Sequence, residues 1–187
     1  MTKRLIVGIS GASGVIYGVR LLELLRPLPV ETHLVMTRSA QITLAHETDY
    51  KVADVQGLAD RHYGAEDLAA AISSGSFRTM GMIVAPCAMR SLSEIAYGNT
   101  THLLTRAADV VLKERRRLVL LPRETPLHLG HLRAMTAATE AGAIVAPPVP
   151  AFYARPATVT DMVDYTLARA MDLFDIDLAP VNRWKGG

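Results

Sequence analysis

The adjacent pair Arg123-Glu124 combines two side chains suited to chemistry on an anionic ligand. An arginine offers a planar fork of N–H donors to a phosphate. A neighbouring carboxyl group can transfer protons if burial raises its pKa. An internal ion pair that only stabilises the loop explains the same two residues equally well. The pair therefore defines a candidate site without deciding its chemistry.

A small-residue turn, Gly11-Ala12-Ser13-Gly14, separates the apolar run 5–9 from an amphipathic stretch that begins at Val15. This order is typical of a nucleotide-binding unit, because glycines let a ligand approach the backbone and the helix start offers N–H groups to a phosphate. The glycines match neither G-x-G-x-x-G nor the Walker pattern with its lysine. The turn predicts a nucleotide other than NAD, and a tight turn without a ligand remains an alternative.

Other reactive residue types indicate little chemistry of their own. His128 and His131 lie three residues apart on a predicted helix. A zinc site needs further ligands at a fitting spacing, so we expect no metal. Ser13 lacks the G-x-S-x-G context of a hydrolase nucleophile. Cys87 follows an apolar strand, and we expect it to pack rather than react.

Short apolar runs alternate with amphipathic ones, which predicts parallel strands joined by right-handed helical crossovers. Strands are predicted at 5–9, 31–36, 81–85, 118–121 and 143–146. Helices are predicted at 14–26, 38–48, 52–60, 67–72, 101–116, 127–141 and 160–174. Thr158 is expected to cap the last helix with Asp161.

The fold class that follows is α/β. We expect a doubly wound parallel sheet of five to six strands in a Rossmann- or flavodoxin-like three-layer α/β/α fold. The expected order of the five predicted strands is 2-1-3-4-5 or 3-2-1-4-5. Ligands of such folds bind beyond the carboxyl ends of the strands. Polar or reactive residues follow these strand ends at Ser13, Thr37, 87–91, 123–124 and Tyr153. Their convergence is stronger support for a site than any single motif.

The overall composition excludes several classes of protein. A chain of 187 residues, half of them hydrophobic, suits one domain with a proper core. The net charge is +2 and the charged residues are scattered along the chain, which argues against nucleic-acid binding. No apolar run reaches the roughly 20 residues of a membrane span, and we expect no signal peptide. The single cysteine, Cys87, favours a cytoplasmic location.

Taken together, the motifs resemble the UbiX family of flavin prenyltransferases. They are Gly11–Gly14 with Tyr17-Gly18, Glu47–Asp49, 106–115, Pro122–Pro126 and Pro150–Tyr153, and the likeness extends through Arg183-Trp184. The resemblance implies a metal-independent enzyme that joins the dimethylallyl group of dimethylallyl phosphate to N5 and C6 of reduced FMN. A UbiD-type decarboxylase would receive the prenylated FMN, for ubiquinone synthesis or aromatic acid decarboxylation. It also implies a homododecamer, with the segment 158–187 reaching a neighbouring subunit.

By position, the resemblance assigns three sets of site residues. FMN is expected to bind Gly11, Ala12, Ser13, Thr37, Ala88, Met89, Arg90, Ser91 and Arg123. The prenyl phosphate is expected to bind Arg106, Lys113, Glu124, Tyr153 and Arg169. Glu124 would transfer protons with help from Ser13 and Glu47, while Tyr153 and Trp184 would shield a cation-like state. Two residues depart from the family pattern: Ala88 replaces a serine and Arg117 replaces a proline.

Two alternatives remain open from the sequence. An FMN-dependent decarboxylase of the cysteine-decarboxylase type needs an early histidine base, for which His33 in a strand and His46 late in a helix are poor substitutes. A non-catalytic FMN carrier would not need Lys113, Glu124 and Arg169 arranged around a second phosphate.

Overall fold

The computed structural model describes residues 3–178, and these residues build a six-stranded sheet in which all pairings are parallel. The strands lie in the order β3-β2-β1-β4-β5-β6, which reverses direction between β1 and β4. This is a doubly wound order, with its switch point at that reversal. The strands are β1 (Lys3–Ile9), β2 (Val30–Met36), β3 (Arg61–Tyr63), β4 (Gly81–Cys87), β5 (Arg117–Pro122) and β6 (Ile144–Val145).

Seven α-helices accompany these strands within the described residues. They are α1 (Ile16–Leu25), α2 (Arg38–Glu47), α3 (Val52–Gln56), α4 (Met89–Ala96), α5 (Leu103–Lys113), α6 (Leu129–Glu140) and α7 (Val159–Asp172). Short 3₁₀ turns lie at Ala71–Ser73 and Phe152–Ala154. In residues 3–178 we find no helix with the length and apolar character needed to cross a membrane.

The core consists of two apolar clusters, one on each face of the sheet. Alternate side chains of β1 show the division: Leu5 and Val7 pack with α1 and α7, whereas Ile6 packs with α4, α5 and α6. Gly8 lies on the second face, where an added Cβ would come within 3.1 Å of Leu104 Cδ1. Burial on both faces explains why the strands are apolar throughout.

The C-terminal helix α7 packs within its own chain. Thr158 caps it as predicted, since its hydroxyl accepts from the Asp161 N–H at 3.1 Å. The Arg20 guanidinium of α1 then donates to both carboxylate oxygens of Asp164, at 2.7 and 2.9 Å. Such a paired contact joins α1 to α7 with defined geometry.

All five predicted strands are confirmed, and the first of the two expected orders is correct for them. The sequence prediction missed β3 and α4. Strand β3 is a three-residue edge strand, Arg61-His62-Tyr63, without an apolar run. The predicted helix at 67–72 is wrong except for the 3₁₀ turn near its end, and the one at 52–60 ends at Gln56.

His33 gives the fold a specific pH dependence. It is 2% exposed in β2, with its ring nitrogens 2.8 Å from Tyr63 Oη and 3.2 Å from Glu31 Oε1. Burial lowers the pKa of His33, assisted by Arg4 and opposed by the negative charges of Glu31 and Asp60. The contribution of neutral His33 to the free energy of unfolding is therefore complete above the ordinary histidine pKa. It is lost as the pH falls below about 6.5.

We predict that His33→Gln flattens this acid-side decline in the free energy of unfolding, measured by urea denaturation between about pH 7 and 5. His46→Gln, at an exposed position on α2, is the control and should keep the native slope. Parallel curves for the native protein and the His33 variant would contradict the assignment.

Candidate functional site

A cleft opens at the carboxyl ends of β1, β2 and β4, where the strand order reverses. It encloses ≈ 490 Å³. This is the switch-point position at which doubly wound folds bind ligands. Its walls are Gly11, the start of α2 at Thr37–Ser39 with Ile42, the segment Ala65-Glu66, the start of α4 at Ala88, Arg90 and Ser91, and His102.

Beneath this cleft, Ser10 joins the loop that follows β1 to the loop that follows β4. Its side chain is fully buried, and its hydroxyl donates to the Pro86 carbonyl at 3.1 Å while accepting from the Ala88 N–H at 2.6 Å. The Ser10 N–H also donates to the Pro86 carbonyl, at 3.2 Å. The end of β1 is thereby tied to the end of β4.

The glycine turn is built for close contact with α2. A Cβ at Gly11 would lie 2.4 Å from Ser39 Cβ, so no larger residue fits there without a shift. Gly14 has φ +93°, a conformation that favours glycine. The turn therefore brings bare backbone to the cleft wall, as expected for a ligand that approaches closely.

The start of α1 is occupied by a carboxylate of the protein itself. Glu47 Oε2, at the end of α2, accepts from the N–H groups of Gly14 at 2.8 Å and Val15 at 3.1 Å. These N–H groups are therefore not available to a phosphate, contrary to the expectation for this helix start. By contrast, Ala88 gives α4 no side-chain cap. The N–H groups at the start of α4 are thus better placed for an anion than those of α1.

Ser13, Glu47 and Arg123 converge from three separate elements. Burial raises the pKa of Glu47, but the Ser13 hydroxyl, the two turn N–H groups and the charge of Arg123 outweigh it and keep that pKa below its usual value. The Arg123 N–H donates to the Cys87 carbonyl at 3.2 Å, which ties the end of β5 to β4. The cluster combines a hydroxyl, an ionised carboxylate and a cation at one edge of the sheet.

Glu124 follows in the same exposed loop. Its Oε1 accepts from the N–H of Thr125 at 3.0 Å. This local hydrogen bond leaves the second carboxylate oxygen for other partners.

A second, smaller cavity lies at the carboxyl ends of β5 and β6, against α7. It encloses ≈ 250 Å³ and its lining includes Leu121, Tyr165 and Arg169. Tyr153 reaches its edge, because its hydroxyl hydrogen-bonds the Tyr165 hydroxyl and the two rings meet edge to face at 5.9 Å. Arg169 donates to Asp172. Two of the residues predicted to bind the prenyl phosphate thus lie beside this cavity, Arg169 on α7 and Tyr153 against it.

Arg106 and Lys113 lie elsewhere in the chain. Arg106 donates to the Ser73 carbonyl at 3.3 Å and to Asp109 at 2.9 Å. Lys113 ends α5, shortly before the first residue of β5, and pairs with Glu114 at 2.8 Å. The six-residue length of β5 separates that end of the sheet from the cleft by roughly 17 Å. Lys113 therefore does not join Arg123 within one chain, whereas Arg106 lies about one helical turn beyond His102 of the cleft wall. Trp184 lies outside the described residues.

The remaining predicted residues have structural surroundings. Thr37 caps α2, since its Oγ1 accepts from the Ala40 N–H at 3.1 Å. Met89 is 9% exposed and packs in the same core cluster as Cys87. Burial raises the pKa of Cys87 to about 12, which fits the prediction that this thiol packs rather than reacts.

The two histidines of α6 stack on each other instead of converging on an ion. Their ring centroids are 3.6 Å apart, and His128 Nδ1 accepts from the Gly130 N–H at 3.0 Å. Within residues 3–178 no group of three or more His, Cys, Asp or Glu side chains is arranged to hold a metal ion.

Sequence reasoning assigned no site role to Ser10 beneath the cleft, nor to the lining residues Arg38, Ser39, Ile42, Ala65, Glu66 and His102. Ser39 could have been found from its place in the first turn of the helix that Thr37 caps. Ser10 is the last residue before the glycine turn, where a polar residue after an apolar strand is a recognisable pattern. No sequence pattern marked His102, which lines the cleft from the residue before α5.

The comparisons with known proteins agree with this geometry. The Flavoprotein family model matches residues 1–171. Flavin prenyltransferase UbiX of Escherichia coli strain K12 is 59% identical over 187 residues, covering 98% of this chain and 99% of that protein. The crystal structure of AnUbiX in complex with FMN and dimethylallyl pyrophosphate has a TM-score of 0.98 at 49% identity, covering 100% of both chains. A dodecameric FMN-dependent Ubix-like decarboxylase from Escherichia coli O157:H7 has a TM-score of 0.96 at 51% identity, covering 98% of this chain and 100% of that one.

The chain therefore belongs to the Flavoprotein family, and within that family its similarity over nearly its whole length is to the UbiX members. The resemblance inferred from the sequence motifs is confirmed. The roles of the individual site residues stay predictions.

Removing the Glu47 carboxylate should loosen the glycine turn. We predict that Glu47→Ala lowers the free energy of unfolding by about 1 kcal/mol, because two turn N–H groups lose a charged acceptor. Because the pKa of Glu47 is lowered in the fold, its stabilisation is present above the ordinary carboxyl pKa and is lost on acidification. The native and variant proteins should therefore converge in stability below about pH 4. Glu66→Ala, on the opposite wall, is the control, and a constant difference at every pH would contradict the assignment.

Proposed function

We propose that this chain is a flavin prenyltransferase that joins the dimethylallyl group of dimethylallyl phosphate to reduced FMN. The observation that carries the proposal is the near-complete structural agreement with a UbiX protein that holds FMN and dimethylallyl pyrophosphate. The 59% identity to a named flavin prenyltransferase supports the same reaction. When bound, reduced FMN supplies the N5 and C6 atoms that accept the prenyl group.

The residues of the larger cleft fit FMN. Gly11 presents backbone where a side chain would collide with Ser39. The hydroxyls of Thr37 and Ser39 lie 3.0 Å apart beside the cleft, and the start of α4 faces it without a side-chain cap. Hydroxyls and uncapped helix starts are suitable donors to a phosphate. Ala88 supplies no hydroxyl of its own, so backbone N–H groups take a larger share of the binding.

We propose that Ser13 and Glu47 determine where a proton is held beside the flavin. The low pKa of Glu47 keeps its carboxylate ionised, so it accepts the Ser13 hydroxyl hydrogen and leaves the Ser13 oxygen as an acceptor toward the ligand. Arg123 adds positive charge to the same edge, which favours a reduced, anionic flavin. Glu47 therefore acts by positioning Ser13 and the turn.

Tyr153, Arg169 and Glu124 are proposed to handle the prenyl phosphate. Arg169 offers a fork of donors to the leaving phosphate, and the ring of Tyr153 can stabilise an allylic cation by roughly 1–2 kcal/mol when water is excluded. Glu124 Oε, with one oxygen used locally, is the carboxylate proposed to move a proton. Lys and Arg side chains offset the phosphate charge here, so the proposal needs no metal ion.

Lys113 is proposed to serve a neighbouring chain, while Arg106 stays a proposed ligand of the prenyl phosphate, as the resemblance implies. The separation of Lys113 from Arg123 within one chain leaves it at a surface that a second copy can bring to the cleft. The dodecameric relative from Escherichia coli supports an assembly of the same kind for this chain. We propose a single domain for 1–187; the expectation that the segment 158–187 reaches a neighbouring subunit falls partly, with Trp184, outside the described residues.

The alternatives have less support. His33 is buried and bonded to Tyr63 and Glu31, and His46 is exposed at the end of α2, so neither is arranged as the base of a cysteine decarboxylase. A pure FMN carrier would have no use for the second cavity with Arg169. We propose a UbiD-type decarboxylase as recipient of the product and the cytoplasm as its location.

The proposed reaction has a direct test under anaerobic conditions. Incubation with reduced FMN and dimethylallyl phosphate should raise the flavin mass by one dimethylallyl unit and release equimolar phosphate. Glu124→Gln should slow this turnover by about 10²–10⁴-fold while FMN affinity stays native. FMN binding without any mass gain would contradict the proposed function, and lost FMN affinity in the variant would move Glu124 to cofactor support.

Mixed assemblies test whether two chains share a site. Lys113→Ala and Glu124→Gln should each be nearly inactive alone. If Lys113 serves a neighbour, an equal mixture assembled together should regain about one quarter of native sites. Ser13→Ala mixed with Glu47→Ala is the control, because these residues contact each other within one chain and no native site can form. No recovery in the first mixture would place both residues in the same chain's site.

A further inference from the structure

Ser10 occupies a position that the proposed chemistry does not use, between the two walls of the larger cleft. It directly precedes the Gly11–Ser13 turn, and its hydroxyl bonds the backbone on both sides of the residue Cys87, at Pro86 and Ala88. Its own carbonyl accepts from the Ala12 N–H at 2.9 Å. One buried residue therefore bonds both segments that are proposed to hold FMN, through its hydroxyl on the β4 side and its carbonyl on the turn side.

Burial makes these hydrogen bonds difficult to replace. Ser10 is 0% exposed, so water cannot take over when its hydroxyl is removed. The Ala88 N–H would then lose its acceptor, while the Pro86 carbonyl would keep the Ser10 N–H as a donor. Buried backbone N–H groups are rarely left unpaired, so the start of α4 would shift to bring the Ala88 N–H to another acceptor.

The relative position of the loops decides the shape of the cleft. Gly11 lines one wall and Ala88 the other, and neither has a side chain that could adapt to a displaced partner. A shift of the α4 start would move its uncapped N–H groups away from the Gly11 backbone. Binding geometry set by two rigid backbones tolerates little displacement.

We propose that Ser10 is a positioning residue for FMN, which sets the distance between the Gly11–Ser13 turn and the start of α4. The proposal rests on the proposed function insofar as FMN is the ligand of this cleft. It adds a residue that touches neither ligand but determines how well the cofactor fits.

The test compares two buried hydroxyls that each donate one hydrogen bond and accept another. Ser10→Ala should weaken FMN binding about tenfold by flavin fluorescence titration, with a faster dissociation rate. Thr32→Val is the matched control. Thr32 is 2% exposed, and its hydroxyl donates to Asp60 Oδ2 at 2.9 Å and accepts from the Asp60 N–H at 3.0 Å, near the amino end of β2. It should lose similar thermal stability but keep FMN affinity within about twofold of the native protein.

Two outcomes would overturn the proposal: native FMN affinity in Ser10→Ala, or an equal loss of affinity in Thr32→Val. If Ser10→Ala does not fold, hydrogen exchange on the native protein decides the matter. The Ala88 amide should exchange slowly without ligand, and FMN should slow exchange in 10–13 and 86–91 together. Exchange of the Ala88 amide at the rate of an unprotected loop would contradict its hydrogen bond to Ser10. Failure of the native protein to make prenylated flavin, with FMN still bound, would contradict the proposed function and leave these readouts valid.

Discussion

The hydrogen bonds between the ends of β1 and β4 are the contacts on which the cleft depends. Parallel pairing brings all carboxyl strand ends to one edge, but it does not define the path of the loops that leave them. Ser10 provides that definition by bonding Pro86 and Ala88, and the Arg123 N–H extends it to β5 through the Cys87 carbonyl. The loops that follow β1, β4 and β5 are thus held at defined positions relative to one another.

Electrostatics then divides the loops into parts with different roles. Glu47 fills the start of α1 and gives that turn an internal negative charge. The start of α4 has no side-chain cap, and the cations Arg123 and Arg169 lie near the ends of β5 and α7. An anionic ligand is therefore favoured on the β4–β5 side of the sheet edge and disfavoured directly at α1. This division fits a flavin with a phosphate tail and a second, separate phosphate.

The sequence predicted five of the six strands and the edge of the sheet at which the cleft opens, for physical reasons. Apolar runs such as 81–85 are visible because both faces of the sheet are buried. The exposed edge strand β3 has no such pattern, and α4 starts so soon after β4 that no turn residues separate them. The hydrogen bonds of Glu47 to the glycine turn and of Ser10 to the end of β4 could not be predicted, because the partners lie 32–33 and 76–78 residues away in the chain. The distance of Lys113 from the cleft could not be predicted either, because it depends on the end of the folded sheet at which this residue lies.

We propose that one chain's strand ends form the flavin site and that a neighbour's α5 completes it. A crystal structure of the assembled protein with FMN and dimethylallyl phosphate would decide this. We expect the flavin between Gly11 and Ala88, the prenyl phosphate near Tyr153 and Arg169, and Lys113 of a second chain within hydrogen-bonding distance of that phosphate. A flavin bound outside this cleft, or a substrate phosphate with no Lys113 of any chain near it, would rule out this arrangement.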